Sequence, residues 1–243
     1  MPAPLSILLL PGLACDAELF AAQQPVLAAQ YCVHISNAHT RAPTLPAMAA
    51  LLWIEQPEQE APQVLVGASM GGMLALEMWR QAPQRVRAIA LLGSSARPDT
   101  PELITLRTQA CTLFANGRME ELLAANALFA FHPRNAGNKA LVQRYLAMLR
   151  RAGAAQLIAQ NQAVLARADS RPLLPQIRCP LLLACGQADG LTPPEFVYEM
   201  AALALRAAST RVAIVPGAGH MLTMEQPEVV NALLLEWLGS LTA

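Results

Sequence analysis

Six runs of apolar residues recur along the chain, each closed by Gly, Pro, Ser or Asn. They are SILLL (6–10), YCVHIS (31–36), QVLVGA (63–68), VRAIALLG (86–93), PLLLACG (180–186) and TRVAIVPG (210–217). The runs at 6–10, 63–68, 86–93 and 180–186 are nearly continuous, as expected of strands buried on both faces. Those at 31–36 and 210–217 are weaker members of the same class. Segments with helical spacing lie between them, at Leu45–Glu55, Met70–Gln81, Pro194–Arg206 and Pro227–Leu238. Strand alternating with helix requires crossovers, and therefore a mostly parallel sheet.

The alternation stops between Arg97 and Arg171. That stretch is rich in Ala, Leu, Gln and Arg at helical spacing, as in Leu141, Tyr145, Met148 and Leu149. Gly117, Pro133, Gly137 and Gly153 divide it into about four helices. Strand–helix alternation then resumes. A helical block set between two strands of one sheet has the outline of a lid, so the expected organisation is a core at 1–96 and 172–243 with a lid at 97–171.

With 243 residues and 54% apolar positions, the chain can build one domain with a sizeable core. Its net charge is zero, which gives no global attraction to nucleic acid or to an anionic membrane. The charge is unevenly divided: the 97–171 stretch carries ten basic and five acidic residues, net +5, and the remainder is net −5. Two readings follow: a solvated, Arg-rich helical surface, or a lid that attracts carboxylate-bearing substrates. Cys15, Cys32, Cys111, Cys179 and Cys185 are scattered without CxxC spacing, so neither a metal site nor a disulfide framework is indicated. Reduced thiols fit a cytoplasmic protein. The run at 6–10 is too short to span a membrane and has no basic segment before it, so a signal peptide is not expected.

The segment VGASMGG (66–72) follows a strand-like run and precedes a helical one. Ser69 therefore sits at a strand-to-helix turn, which can hold a serine in a strained conformation with its hydroxyl exposed above the sheet. A glycine-rich turn that happens to contain serine is the plainer alternative. Gly67 and Gly71 would remove side chains that collide with neighbouring backbone, and the helix start directs N–H groups toward the site. Serine needs a base, and the base needs an orienting group. Of the four histidines, His34, His39 and His132 fit structural or solvated roles. His220, in PGAGH after the last apolar run, lies at a strand's carboxyl end, where open parallel sheets bind ligands. Among Asp16, Asp99, Asp169 and Asp189, the last follows PLLLAC directly, although its Asp-Gly pair also suits a simple turn. Ser69, Asp189, His220 is the chain order of a strand-borne triad.

Together these pieces resemble the α/β-hydrolase fold, in its small, lidded, esterase- or lactonase-like form. The resemblance rests on LLLPGL (8–13), VGASMGG (66–72), the helical insertion, CGQADGLTPP (185–194) and VPGAGHMLTMEQPE (215–228), and it covers nearly the whole chain. It implies about six parallel strands flanked by helices, without the hairpin that opens many larger relatives. It also implies a serine hydrolase of small carboxylic esters or lactones, acting through an acyl-enzyme with Ser69 as nucleophile, His220 as base and Asp189 as orienting carboxylate. No metal or organic cofactor is implied, and the expected partner is a small-molecule substrate bound by a monomer or homodimer. Many relatives carry His-Gly after the first long strand, whereas this chain has Pro11-Gly12-Leu13. The oxyanion hole uses backbone N–H groups, which the resemblance places at Leu13 and Met70. Cys15 and Met221 are candidates to line the substrate pocket, with Cys15 and Asp16 alternatively shaping the loop. Relatives also use such a triad for carbon–carbon cleavage, acyl transfer, elimination or peracid formation, and some keep the scaffold as receptors, so the bond attacked stays open.

Overall fold

The computed structural model describes residues 5–55 and 62–241, and the chain ends at which the expected core begins and finishes lie outside them. Six strands form one parallel sheet: β1 (Ser6–Leu10), β2 (Cys32–Ile35), β3 (Gln63–Ala68), β4 (Val86–Leu92), β5 (Leu181–Gly186) and β6 (Thr210–Val215). Their spatial order is β2-β1-β3-β4-β5-β6, and every neighbouring pair is parallel. The order reverses direction between β1 and β3, and such a switch point opens a crevice at the strands' carboxyl ends.

Alternation along each strand divides the core between the two faces. Ile7, Leu9, Val64, Val66, Ala90 and Leu182 face one layer, which includes Trp237 of the C-terminal helix. Leu8, Leu10, Leu65, Ile89, Leu91 and Leu183 face the other, with Trp53 and Trp79. The helices are α1 (Gln24–Ala28), α2 (Leu45–Glu55), α3 (Met70–Gln81), α4 (Pro101–Ala115), α5 (Met119–Ala130), α6 (Lys139–Leu165), α7 (Pro194–Leu203), α8 (Leu222–Glu225) and α9 (Pro227–Ser240). Helix α7 stops three residues before the expected Arg206, and α9 runs two residues beyond Leu238.

Between β4 and β5 the described residues contain helices and no strand. Helix α4 ends at Ala115, two residues before Gly117, which takes φ 75°, and α6 is broken at Gly153, with φ 74° and ψ 169°. The break makes two helical arms of α6, and with α4 and α5 the insertion has four. Phe131 and Tyr145 lock α6 to the end of α5 in an edge-to-face contact, with ring centroids 5.3 Å apart and planes at 82°.

The divided charge has a structural use. Arg144 reaches Glu18 at 2.7 Å, Arg151 reaches Asp16 at 2.8 Å and Arg97 reaches Glu199 at 2.6 Å, each joining the insertion to the sheet domain. These pairs are partly exposed and contribute about 0–1 kcal/mol each. Arg107 and Arg167 both hold Asp99 at 2.7 Å within the insertion, and the Asp99 and Arg167 side chains are nearly buried.

Close approach of α3 to β1 sets the geometry at the switch point. A methyl group at Gly71 would overlap the carbonyl of Leu10 in β1, and one at Gly67 would overlap the carbonyl of Gly71. Both obstacles are backbone and cannot rotate away. Gly71→Ala is therefore expected to lower unfolding stability by about 3 kcal/mol, read as a fall in the urea midpoint at unchanged m-value.

Candidate active site

Four loops meet at the carboxyl ends of the strands. Residues after β1 supply Leu13, the turn after β3 supplies Ser69, the loop after β5 supplies Asp189 and the loop after β6 supplies His220. Ser69 has φ 53° and ψ −118°, a conformation that costs a non-glycine residue about 1–3 kcal/mol. Neighbouring contacts hold it there. The Ser69 N–H donates to the Leu92 carbonyl at 2.9 Å, and the Ser94 hydroxyl donates to the Ser69 carbonyl at 2.8 Å. The turn thereby directs the hydroxyl to His220, whose Nε2 lies 3.0 Å from Ser69 Oγ.

The other imidazole nitrogen, Nδ1, is 2.9 Å from Asp189 Oδ2 and 3.1 Å from Oδ1. With a carboxylate as partner, Nδ1 carries the proton and Nε2 is free to accept the serine's. Asp189 is buried and well solvated by protein: it accepts the N–H groups of Leu191 at 2.9 Å and Thr192 at 2.8 Å, and the Thr192 hydroxyl at 2.7 Å. Burial alone would raise its pKa. The charge and hydrogen bond of His220, with the bonds from Thr192, outweigh that and hold it below the usual carboxylate range. Burial likewise opposes protonation of His220, but the Asp189 charge, its hydrogen bond and the charge of Glu225 together raise the imidazole's pKa, against a smaller opposing field from Arg107.

Among the described residues, neither the Leu13 N–H nor the Met70 N–H has an intramolecular acceptor. Gly12 lies close to Ser69, since a Cβ at Gly12 would stand 3.2 Å from the Ser69 Cβ. One of these uncommitted donors follows Gly12 and the other follows Ser69 directly, and backbone N–H groups of this kind can serve a developing oxyanion. Cys15 and Met221 are both buried. The Cys15 thiol donates to the Leu13 carbonyl at 3.4 Å, and burial, with a contribution from Asp16, pushes its pKa up to about 12. It is thus a neutral thiol braced against the loop.

The remaining candidates disperse. His34 is exposed on β2 beside Cys32, and the ring of His132 accepts the Arg134 N–H in the insertion. His39 is buried and touches the Cys15 carbonyl. Asp99 and Asp169 are ion-paired with arginines, and Asp16 with Arg151. All five cysteines are free. The described residues contain no cluster of three or more His, Cys, Asp or Glu side chains able to hold a metal, and no helix long and apolar enough to cross a membrane.

Ser94, Thr192 and Glu225 support the site without having stood out in the sequence. Glu225 Oε1 accepts the Gly219 N–H at 2.7 Å, next to His220. Its Oε2 accepts the His132 N–H at 2.7 Å and the Asn135 amide at 2.9 Å, both from the insertion. The Met221 N–H also donates to the Ala130 carbonyl at 3.1 Å. The bonds that come from the insertion span about 90 residues of chain, so no local pattern announces them.

The sequence profile of the alpha/beta hydrolase family matches residues 7–233. A pimeloyl-acyl-carrier-protein methyl ester esterase of Neisseria meningitidis serogroup B is 27% identical over 183 residues, covering 72% of this chain and 68% of its own. The chain spans about two thirds of the length of such curated relatives. A thermophilic esterase from Thermogutta terrifontis matches with a TM-score of 0.89 at 26% identity, over 99% of this chain and 92% of that one. The enol-lactonase of Burkholderia xenovorans matches at 0.83 and 23% identity, over 98% and 92%, a likeness of fold.

The pKa of His220 fixes the acid limb of any activity that needs its neutral form. Because that pKa is raised, kcat/KM should fall with decreasing pH about a midpoint above the ordinary histidine value of about 6.5. In Asp189→Asn burial acts without the carboxylate, so the midpoint should drop below that of the wild type and kcat should fall about 10⁴-fold. Rate profiles from pH 5 to 9 on p-nitrophenyl acetate read both.

Proposed function

The chain belongs to the alpha/beta hydrolase family, and from that premise we propose that it is a serine hydrolase cleaving a small carboxylic ester or lactone through an acyl-enzyme. The observation that carries this reading is the continuous hydrogen-bonded chain from Ser69 Oγ through His220 to Asp189, at 3.0 and 2.9 Å. Ser69 Oγ attacks the carbonyl carbon as His220 Nε2 takes the hydroxyl proton. The carbonyl oxygen becomes an oxyanion and is met by the Leu13 and Met70 N–H groups. The tetrahedral adduct expels the alcohol, to which His220 returns the proton. A water, deprotonated by His220, then attacks the acyl carbon; as the acyl-Ser69 bond breaks and the carboxylic acid leaves, His220 returns the proton to Ser69 Oγ. Asp189 holds the imidazole in its reactive tautomer and stabilises its charged form.

The names of relatives support an ester as the bond attacked, since the Neisseria and Thermogutta proteins are both esterases. The insertion, read as a lid over Ser69, would set the substrate. Among the described residues most of its cations are engaged in ion pairs, so its net charge is largely neutralised locally. Arg107 is the exception in position: its guanidinium donates to Asp99 and Asn161, yet its charge still reaches His220. The positive field of Arg107 at His220 supports a substrate with a carboxylate of its own, and the same observation supports a second reading, cleavage of another bond in such a substrate.

Ser69→Ala should lower ester turnover by at least about 10⁴-fold and abolish labelling by a fluorophosphonate; retained activity overturns the assignment. A p-nitrophenyl hemiglutarate should be preferred over the neutral valerate, with the preference shrinking as salt is raised. Equal kcat/KM values, insensitive to salt, would remove the carboxylate from the proposal.

A further inference from the structure

The loop after β1 is a turn closed by a hydrogen bond from the Cys15 N–H to the Gly12 carbonyl at 3.1 Å. Its third residue, Ala14, has φ 57°, in the left-handed region that such turns normally give to glycine. Only Ala14 and Ser69, among the described non-glycine residues, take a positive φ. A turn of this form interconverts with its commoner alternative by flipping the central peptide, here the one joining Leu13 to Ala14. That peptide is held from outside. The Ala14 N–H donates to Gln160 Oε1 at 2.6 Å, and Gln160 is fully buried on the second arm of α6. Gln160 is itself fixed, because its Nε2 donates to the His39 carbonyl at 2.8 Å, which also accepts the Gln156 amide at 2.9 Å. Burial lowers the pKa of His39, against its bond to Cys15 and the charge of Asp16, and its Nε2–H donates to the Cys15 carbonyl at 2.7 Å. The insertion and the His39 segment therefore grip both sides of one strained turn, and they leave the Leu13 N–H uncommitted.

We propose that Gln160 is a positioning residue of the oxyanion hole. Its bond to the Ala14 N–H keeps the Gly12–Cys15 turn in the conformation that presents the Leu13 N–H beside Ser69. The inference rests on the serine-hydrolase reading. Wild-type activity and fluorophosphonate labelling test that reading separately, before any variant is made. Without the acceptor, Ala14 is free to leave its left-handed conformation and the turn loses its fixed form. Substrate binding, which does not need the oxyanion donors, should change little.

The decisive variant is Gln160→Met, of similar length and without an acceptor. The expected result, per active site titrated with fluorophosphonate, is a 10- to 100-fold fall in kcat on p-nitrophenyl acetate with KM within about twofold. That is smaller than the 10²–10³ of outright donor removal. Affinity for phenylboronic acid, which forms a tetrahedral adduct with the serine, should fall by a similar factor. Gln160→Glu keeps an acceptor for the Ala14 N–H and, in the protonated form that this buried position favours, a donor for the His39 carbonyl, so it should hold boronate affinity within about threefold of wild type. The proposal is overturned if Gln160→Met keeps kcat per titrated site within twofold, or if its loss lies in KM alone. Should Gln160→Met give no soluble protein, Gln160→Glu decides: a tenfold loss of boronate affinity there overturns the proposal equally.

Discussion

The close approach of α3 to β1 and β3 is the constraint on which the site depends. Residues 67 and 71 touch backbone at distances where no side chain fits. The chain can therefore turn from β3 into α3 within one residue, Ser69, and that residue must adopt φ 53°. A strained serine at the top of a strand is stable here because the sheet supplies the Leu92 carbonyl below it and the Ser94 hydroxyl beside it. Moving the helix outward by the width of a methyl group would relieve the strain.

The helical insertion is bonded to two of the loops that carry the site. One part of it, from Ala130 to Asn135, is tied through Glu225 and the Met221 N–H to the loop that bears His220. Another, the second arm of α6, reaches the loop after β1 through Gln160, while the first arm reaches the same region through Arg144 and Arg151. Gly153 separates the two arms, which both converge on the segment after β1. Complementary net charges on the insertion and the sheet domain suit this docking. The buried, uncharged bonds of Gln160 carry the geometric precision, because exposed ion pairs tolerate movement.

The six strands, their parallel sense and the helical insertion were legible in the sequence because each depends on local patterning: continuous apolar runs for strands covered on both faces, helical spacing for the rest. Ser69, Asp189 and His220 were legible for a related reason. Each occupies a short turn directly after a strand, and strand ends converge in a parallel sheet. The structure brings those three side chains into one hydrogen-bonded line, whereas Asp99, equally eligible by type, is enclosed by Arg107 and Arg167. Even the break at Gly153 could be expected, since glycine tolerates the left-handed backbone found there.

What the amino-acid order determined by itself is the set of elements and the few loop residues whose chemistry is rare enough to stand out. The partners that aim those residues were decided only in three dimensions. Thr192, Glu225 and Gln160 are ordinary residues in ordinary settings, and the hydrogen bonds of Glu225 and Gln160 join positions about 90 and 146 apart. Arg107 is one of several arginines at helical spacing, and only the packing of α4 against α6 joins it to Asn161. Periodicity reports which face of an element is buried, whereas a bond between two distant loops depends on how separate elements pack. That information exists only once the sheet and the insertion have packed together.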